Sequence, residues 1–403
     1  MGAPFVRREL YDALEGNLRG APRLIQVVTG PRQVGKTTLA VQVHDRWPGT
    51  RSYATSDDLR TPDRDWLRAR WEEARAQAGH RGRDGLLVLD EVQKIPGWSE
   101  TVKSLWDGDR RSRVRLRVVL LGSSALLVGR GLTESLAGRF ELHRHPHWSY
   151  PECRAAFGVS LEEWWRFGGY PAGLLMRRDP PRWSRYIRDA IIETVIGRDI
   201  LLTSPVQKPA LLRQVFGMAC GHPAEIVSLQ KMLGQLVDAG NATTVAHHLH
   251  LLSAAYLLAV LPRWSGSRLL IRGSIPKLIV RDNALADAMV PPDLERARLF
   301  GPMRGRLIEN AVGAALVVLS ERTGAELFYW RDRQDEVDFV LRHGSRLVAI
   351  EVKSGRPRAS GLAVFRRRWP TAKSVLVGGT GADDCLPLDR FFEDPSSVLK
   401  SER

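Results

Sequence analysis

Short apolar runs bounded by turn residues set the frame of this chain. Residues 24–41, LIQVVTGPRQVGKTTLAV, read as a buried strand, a glycine-bearing loop and the start of a helix, because a brief continuous apolar run marks a strand covered on both faces. Residues 86–91, LLVLDE, form a second such strand that ends on two acids, and RVVLLGSSAL, from Arg117, a third that ends in Gly122, Ser123 and Ser124. From about residue 150 the spacing becomes helical in PECRAAFG, LEEWWRFGGYP and SRYIRDAIIETVIGRDIL, which predict a helical lid or connector.

Residues 207–280 predict a helix-turn-helix with a β-wing. PALLRQVFGMAC and EIVSLQKMLGQLV are amphipathic helices, DAGN is a turn, and Thr243 or Thr244 caps the helix TVAHHLHLLSAAYLL. The strand-like runs YLLAVLP and RLLIRG then flank RWSGS. His247, His248 and His250 fall where a DNA reader exposes side chains, yet such a helix usually shows Arg, Lys, Asn or Gln. Both DNA reading and packing between domains fit this segment.

Beyond the turn-rich VPPDLERARLFGPMRG the pattern gives a helix, RLIENAVGAALVVLS, then the strands ELFYWR, EVDFVL and RLVAIEVK, a helix SGLAVFRRRWP and a strand SVLVGG. The order is αβββαβ. Side chains alternate along a strand, so Glu351 and Lys353 share one face. With Asp338 on the neighbouring strand, Asp338 and Glu351 can share a divalent ion while Lys353 orients or activates a water, and Glu309 from the preceding helix can complete the acidic cluster.

The chemistry near the N-terminus is more specific. Gly30, Gly35, Lys36 and Thr37 match G-x-x-x-x-G-K-[ST]. Glycines let backbone N–H groups wrap phosphate oxygens, Lys36 neutralises β/γ charge, the Thr37 hydroxyl ligates magnesium, and Thr38 follows in the same phosphate-binding turn. The helix that follows presents its positive end to the same anion. Asp90 emerges at the carboxyl end of its strand, where it can hold the magnesium, and Glu91 can polarise an attacking water. Ser123 or Ser124 reaches the γ-phosphate if the third strand lies between the first two. Arg139, or Arg130, is a candidate charge-stabilising finger, in cis or across a subunit interface, and the latter requires an oligomer.

Composition adds bounds. The 403 residues suffice for two or three domains, and 43% hydrophobic content suits ordinary cores. The longest apolar candidate, LLSAAYLLAVLP, ends at Pro262, short of the ~20 residues that cross a bilayer. The first residues, MGAPFVRREL, lack a signal-peptide core, so the expectation is a cytoplasmic protein without membrane contact. Cys153, Cys220 and Cys385 lie far apart, with no disulfide or zinc spacing. A net charge of +15 fits a polyanionic partner, DNA or RNA, although the charge is spread along the chain.

The chain resembles prokaryotic AAA-type ATPases whose C-terminal portion is a DUF4143 domain, itself similar to PD-(D/E)XK nucleases. The carriers are GPRQVGKTTL, LVLDEVQ, LGSSALL, SLAGR, GGYP, GRDI, PKLIVRDNAL, LIENAV, YWRDRQDEVDFV and AIEVKSG. The resemblance implies ATP and Mg2+ binding by Gly35, Lys36, Thr37 and Asp90, with Glu91 as base, a winged-helix segment, and a nuclease-like tail carrying Glu309, Asp338, Glu351 and Lys353. The expected architecture is α/β and multidomain. It comprises a P-loop AAA-type ATPase domain over 1–150, with a parallel sheet and helices on both faces, and a helical lid or connector over 151–206. A winged-helix-like segment follows over 207–290 and an αβββαβ, restriction-endonuclease-like domain over 291–403. The expected activity is ATP hydrolysis coupled to a DNA- or RNA-associated module. The alternatives are an ATP-gated metal-dependent nuclease and a nucleotide-dependent switch that binds a protein partner through an inactive nuclease-like scaffold.

Overall fold

The computed structural model describes residues 8–20, 23–58, 61–79, 84–122, 132, 135–201, 206, 208–237, 240–266, 275–290, 302–353, 361–379 and 385–400. They belong to two units, Met1–His147 and Trp148–Arg403.

In the first unit, α1 (Glu9–Arg19), β1 (Ile25–Thr29), α2 (Lys36–Asp45), β2 (Thr50–Thr55), α3 (Arg64–Gly79), β3 (Gly85–Asp90), α4 (Trp98–Arg111), β4 (Leu116–Gly122) and β5 (Phe140–Arg144) follow in order. The apolar runs are the buried strands that their composition demands: every residue of β1, β3 and β4 is buried. The sheet order is β2-β3-β4-β1-β5, all parallel, the arrangement of a P-loop nucleotide-binding fold. The third apolar strand therefore lies between the first two. Helices cover both faces. Trp71 of α3 and Trp98, Val102 and Trp106 of α4 pack on one. Tyr11 and Leu14 of α1 and Leu39 and Val43 of α2 pack on the other.

The second unit opens with short helices, among them Tyr150–Phe157 and Leu161–Phe167, each started by a Ser–Glu capping box. Helices Pro209–Gly221 and Ala242–Ala254 precede a hairpin, β6 (Leu258–Leu261) against β7 (Lys277–Val280). Three details differ from expectation. The helix expected over 225–237 is only Leu229–Leu233, because Ser228 caps it and Val227 N–H bonds to Pro276 O beside β7. The cap of Ala242–Ala254 is Asn241, not Thr243 or Thr244: its side chain accepts the Thr244 N–H. Third, the β6 partner is the strand in PKLIVRDNAL; RLLIRG lies outside the described residues.

The C-terminal part has the helix Pro302–Thr323, then β8 (Glu326–Asp332), β9 (Asp335–His343) and β10 (Arg346–Lys353), the helix Gly361–Arg368, β11 (Lys373–Gly378) and β12 (Cys385–Leu386). The αβββαβ order is present. The sheet is mixed, β12-β11-β10-β9-β8, antiparallel across β8, β9 and β10 and parallel from β10 to β12.

The segments 151–206, 207–290 and 291–403 form one unit because residues after β7 stitch them together. Asp282 accepts the N–H groups of Gly169 and Ala284, and a Cβ at Gly168 would sit 1.8 Å from the Asp282 Oδ1. Asn283 donates to Trp165 O and Leu307 O. Asn310, fully buried, accepts the Val280 N–H and donates to Val280 O and Asn283 Oδ1. GGYP, RDNAL and LIENAV are thus three sides of one hydrogen-bonded joint. Among the described residues no helix is long and apolar enough to cross a membrane.

Replacing Asn310 by Leu keeps the branched shape but strands the Val280 N–H and C=O. Chemical denaturation is expected to show a loss of about 2–4 kcal/mol; a loss below ~0.5 kcal/mol, the level of a surface change, would remove Asn310 from this role.

Candidate functional site

The loop after β1 turns on itself because Gln33 (φ 60°) and Gly35 (φ 94°) adopt left-handed backbone within three residues, the alternation that gathers N–H groups around an anion. Gly30 is required for a different reason. The chain leaving β5 passes so close that a Cβ there would lie 2.1 Å from His145 O. Lys36 opens α2, is nearly buried, and turns its ammonium onto Gly30 O (3.0 Å) and Pro31 O (2.6 Å). Thr37 and Thr38 are exposed on the first turn.

Asp90 ends β3 and meets this turn. Thr37 Oγ1 donates to Asp90 Oδ2 at 2.8 Å, Tyr53 Oη donates to the same oxygen at 2.7 Å, and Glu91 N–H donates to Oδ1 at 2.8 Å. A hydroxyl and a carboxylate of fixed orientation are the oxygen donors a hard cation takes, so the residues fit magnesium. Glu91 holds φ 55°, a strained value for a non-glycine residue. Ser56 Oγ donates to its carbonyl and Gln93 Nε2 to its Oε2.

Arg8 and Tyr53 were not expected here. Buried Arg8 donates to Val34 O in the loop and to Pro146 O and His147 O, and its guanidinium touches His145 Nε2. One cation thereby ties the phosphate loop to the chain end behind it. Nothing in VRREL marks that role. The Tyr53 signal is its position in RSYAT, whose mixed polarity masks an edge strand.

Arg139, a candidate finger in cis or across a subunit interface, does not lie beside the loop of its own chain. Arg139 O accepts the Ile25 N–H, and Phe140 pairs with Ile25, which puts Arg139 at the opposite end of the strands from the loop, roughly 15 Å away at ~3.3 Å per residue. Its guanidinium grips Asp107 through two bonds, 2.8 and 3.1 Å, and the hydrogen bond from Arg139 holds the Asp107 carboxyl below the usual range. Ser123, Ser124 and Arg130 lie outside the described residues.

In the second unit all four expected tail residues come together. Phe339 pairs with Ile350, so Asp338 and Glu351 are neighbours across β9 and β10, and Asp338 Oδ2 accepts the Val352 N–H at 2.7 Å. Lys353 Nζ is 2.5 Å from Glu351 Oε1. Glu309 joins through a residue that was not expected: Lys277 of β7, wholly buried, with Nζ 2.5 Å from Glu309 Oε1, 3.4 Å from Glu336 Oε1 and 3.7 Å from Asp338 Oδ1. Burial alone would lower Lys277, but the three carboxylates outweigh it and hold the amine charged, above its ordinary value. Burial also raises Glu351, against the pull of Lys353. Glu336 was legible, two residues before Asp338 on the same strand face. Lys277 was not, since its partners lie on distant elements.

These carboxylates do not fit a divalent cation as they stand. Three of them already face the Lys277 ammonium and Glu351 faces that of Lys353, and among the described residues no group of three or more His, Cys, Asp or Glu converges to hold a metal. In the hairpin segment, His247 and His250 are exposed and His248 is buried.

Residues 22–153 match the family model described as AAA domain, 159–295 the domain of unknown function DUF8612, and 304–385 the domain of unknown function DUF4143. The chain is 29% identical over 351 residues to an uncharacterized protein of Mycobacterium tuberculosis, covering 86% of this chain and 74% of that one. It is 22% identical over 274 residues to an uncharacterized protein of Methanocaldococcus jannaschii, covering 63% of this chain and 58% of that one. Among solved structures, the Thermotoga maritima RuvB Holliday junction branch migration motor aligns at 17% identity and TM-score 0.35, over 66% of this chain and 93% of that one.

Lys277→Ala would leave three carboxylates facing a void. The expected loss of stability is about 3–5 kcal/mol, the cost of removing one partner from a buried ion cluster, read by urea denaturation; a loss under ~1 kcal/mol would mean the ammonium is not what holds them.

Proposed function

We propose that this protein is a magnesium-dependent ATPase of AAA type whose nucleotide turnover is coupled to a DNA- or RNA-associated C-terminal unit. The observation that carries the reading is the 2.8 Å contact between the Thr37 hydroxyl and the Asp90 carboxylate. It joins the two sequence signals of a nucleotide site in one place.

In this reading the N–H groups of the turn from Gly30 to Gly35 and the N-terminal end of α2 hold the β- and γ-phosphates. The Lys36 ammonium leaves the Gly30 and Pro31 carbonyls for phosphate oxygens, exchanging neutral acceptors for charged ones. Thr37 and Asp90 would hold magnesium, with Tyr53 and the Glu91 N–H fixing which way the Asp90 carboxylate faces. Bound magnesium supplies positive charge to the phosphoryl oxygens as the transition state develops. Glu91 accepts the proton of the attacking water.

What supports the nucleic-acid part is the net charge of +15 and the order of helices and hairpin over 209–280, which we read as a winged helix. The second reading is a nucleotide-dependent switch that docks a protein partner on its C-terminal sheet. Lys277, seated among the carboxylates a nuclease would need, favours it over an ATP-gated nuclease.

Lys36→Ala is expected to weaken ATP binding and abolish turnover, while Glu91→Gln keeps binding and lowers kcat by about 10²–10⁴-fold; DNA or RNA changes the wild-type rate. Unchanged turnover in both variants would refute the ATPase, and a rate indifferent to every nucleic acid would leave the switch. Tyr53→Phe is expected to weaken the magnesium-dependent part of ATP affinity about 10-fold by freeing the Asp90 carboxylate. By contrast, Arg139→Ala leaves ATP affinity unchanged, and a tenfold loss there in titration calorimetry would contradict its place at the far end of the strands.

A further inference from the structure

The carboxylates of the C-terminal unit pose a plain electrostatic problem. Glu309, Glu336, Asp338 and Glu351 are brought together at the end of a buried sheet, and clustered acids of one sign need positive charge within a few ångströms. Lys353 serves Glu351 at the rim. The remaining three face Lys277, whose ammonium also lies 5.0 Å from the centre of the Phe339 ring. We propose that the Lys277 ammonium is the resident cation of this cluster, placed so that Asp338 and Glu351 do not take up a divalent metal, and that it fastens β7 to the C-terminal sheet.

Donor atoms support this. Glu309 Oε1 and Asp338 Oδ1 face the ammonium, Asp338 Oδ2 takes the Val352 N–H, and Glu351 Oε1 takes Lys353. With three acids turned to Lys277 and the fourth to Lys353, the carboxylate oxygens that remain fall short of the about six to eight a hard cation takes.

The ammonium is also fixed from behind. Lys277 begins a strand paired with β6, and three residues on, both backbone groups of Val280 are held by Asn310, on the helix that carries Glu309. The strand that carries it therefore cannot withdraw without breaking the hairpin or that joint. A side chain on a mobile loop would gate the site; one rooted in this strand fills it.

The test uses Mn2+ as probe in the full-length chain without nucleotide. Thr37→Ala and Asp90→Asn remove the ligands at the phosphate loop, so the outcome is independent of the ATPase reading. Free Mn2+ is followed by electron paramagnetic resonance. With Lys277 intact, no stoichiometric uptake is expected at submillimolar metal. Adding Lys277→Gln is expected to create one site per chain, at least tenfold tighter than any uptake by the parent and lost again with Asp338→Asn. A stoichiometric site in the Lys277-intact chain that disappears on Asp338→Asn overturns the proposal, as does a folded Lys277→Gln chain that takes up no metal. Should Lys277→Gln not fold, the Lys277-intact arm decides alone, with and without Asp338→Asn.

Discussion

The nucleotide site depends on one placement: β4 is inserted between β1 and β3. This sets the ends of the loop strand and the acid strand two inter-strand spacings apart, roughly 10 Å, and the first turn of α2 bridges that gap with a single threonine. Most other features of the first unit serve the placement. Arg8 braces the loop from behind, Gly30 lets the chain leaving β5 pass beneath it, and Tyr53, from the edge strand β2, holds the carboxylate.

The same physical constraint appears in the second unit with a different solution. Acids gathered at a strand end need a cation, and there it is covalently part of the chain. Asp90 is left facing a hydroxyl, the kind of pair that can open to an incoming ion, whereas Glu309 and Asp338 face an ammonium rooted in β7. Two acidic strand ends in one polypeptide thus differ in what they can accept.

The buried strands were legible because a sheet covered on both faces demands continuous apolar runs, and β1, β3 and β4 meet that demand at every residue. The edge strands β2 and β5 were not, since TRSYAT and FELHR mix charged and apolar residues as half-exposed edges do. The αβββαβ order was legible for the same reason, through the apolar faces of β8, β9 and β10. Long-range ion pairing left no local mark: Lys277 in PKLIV looks like a strand start, and its meaning depends on a helix and a strand far along the chain. The cap at Asn241 and the shortened helix at Leu229 were missed because a side-chain acceptor and a β-bridge at Ile226 overrode amphipathic spacing.

The central claim is that Thr37 and Asp90 hold magnesium for a bound triphosphate, and the metal dependence of ATP affinity measures it most directly. Titration calorimetry on the wild-type chain, with magnesium and then with a chelator, should show markedly tighter binding with the metal, and Asp90→Asn should erase that difference. No ATP uptake by the wild type, or an equal magnesium dependence in Asp90→Asn, would contradict the account.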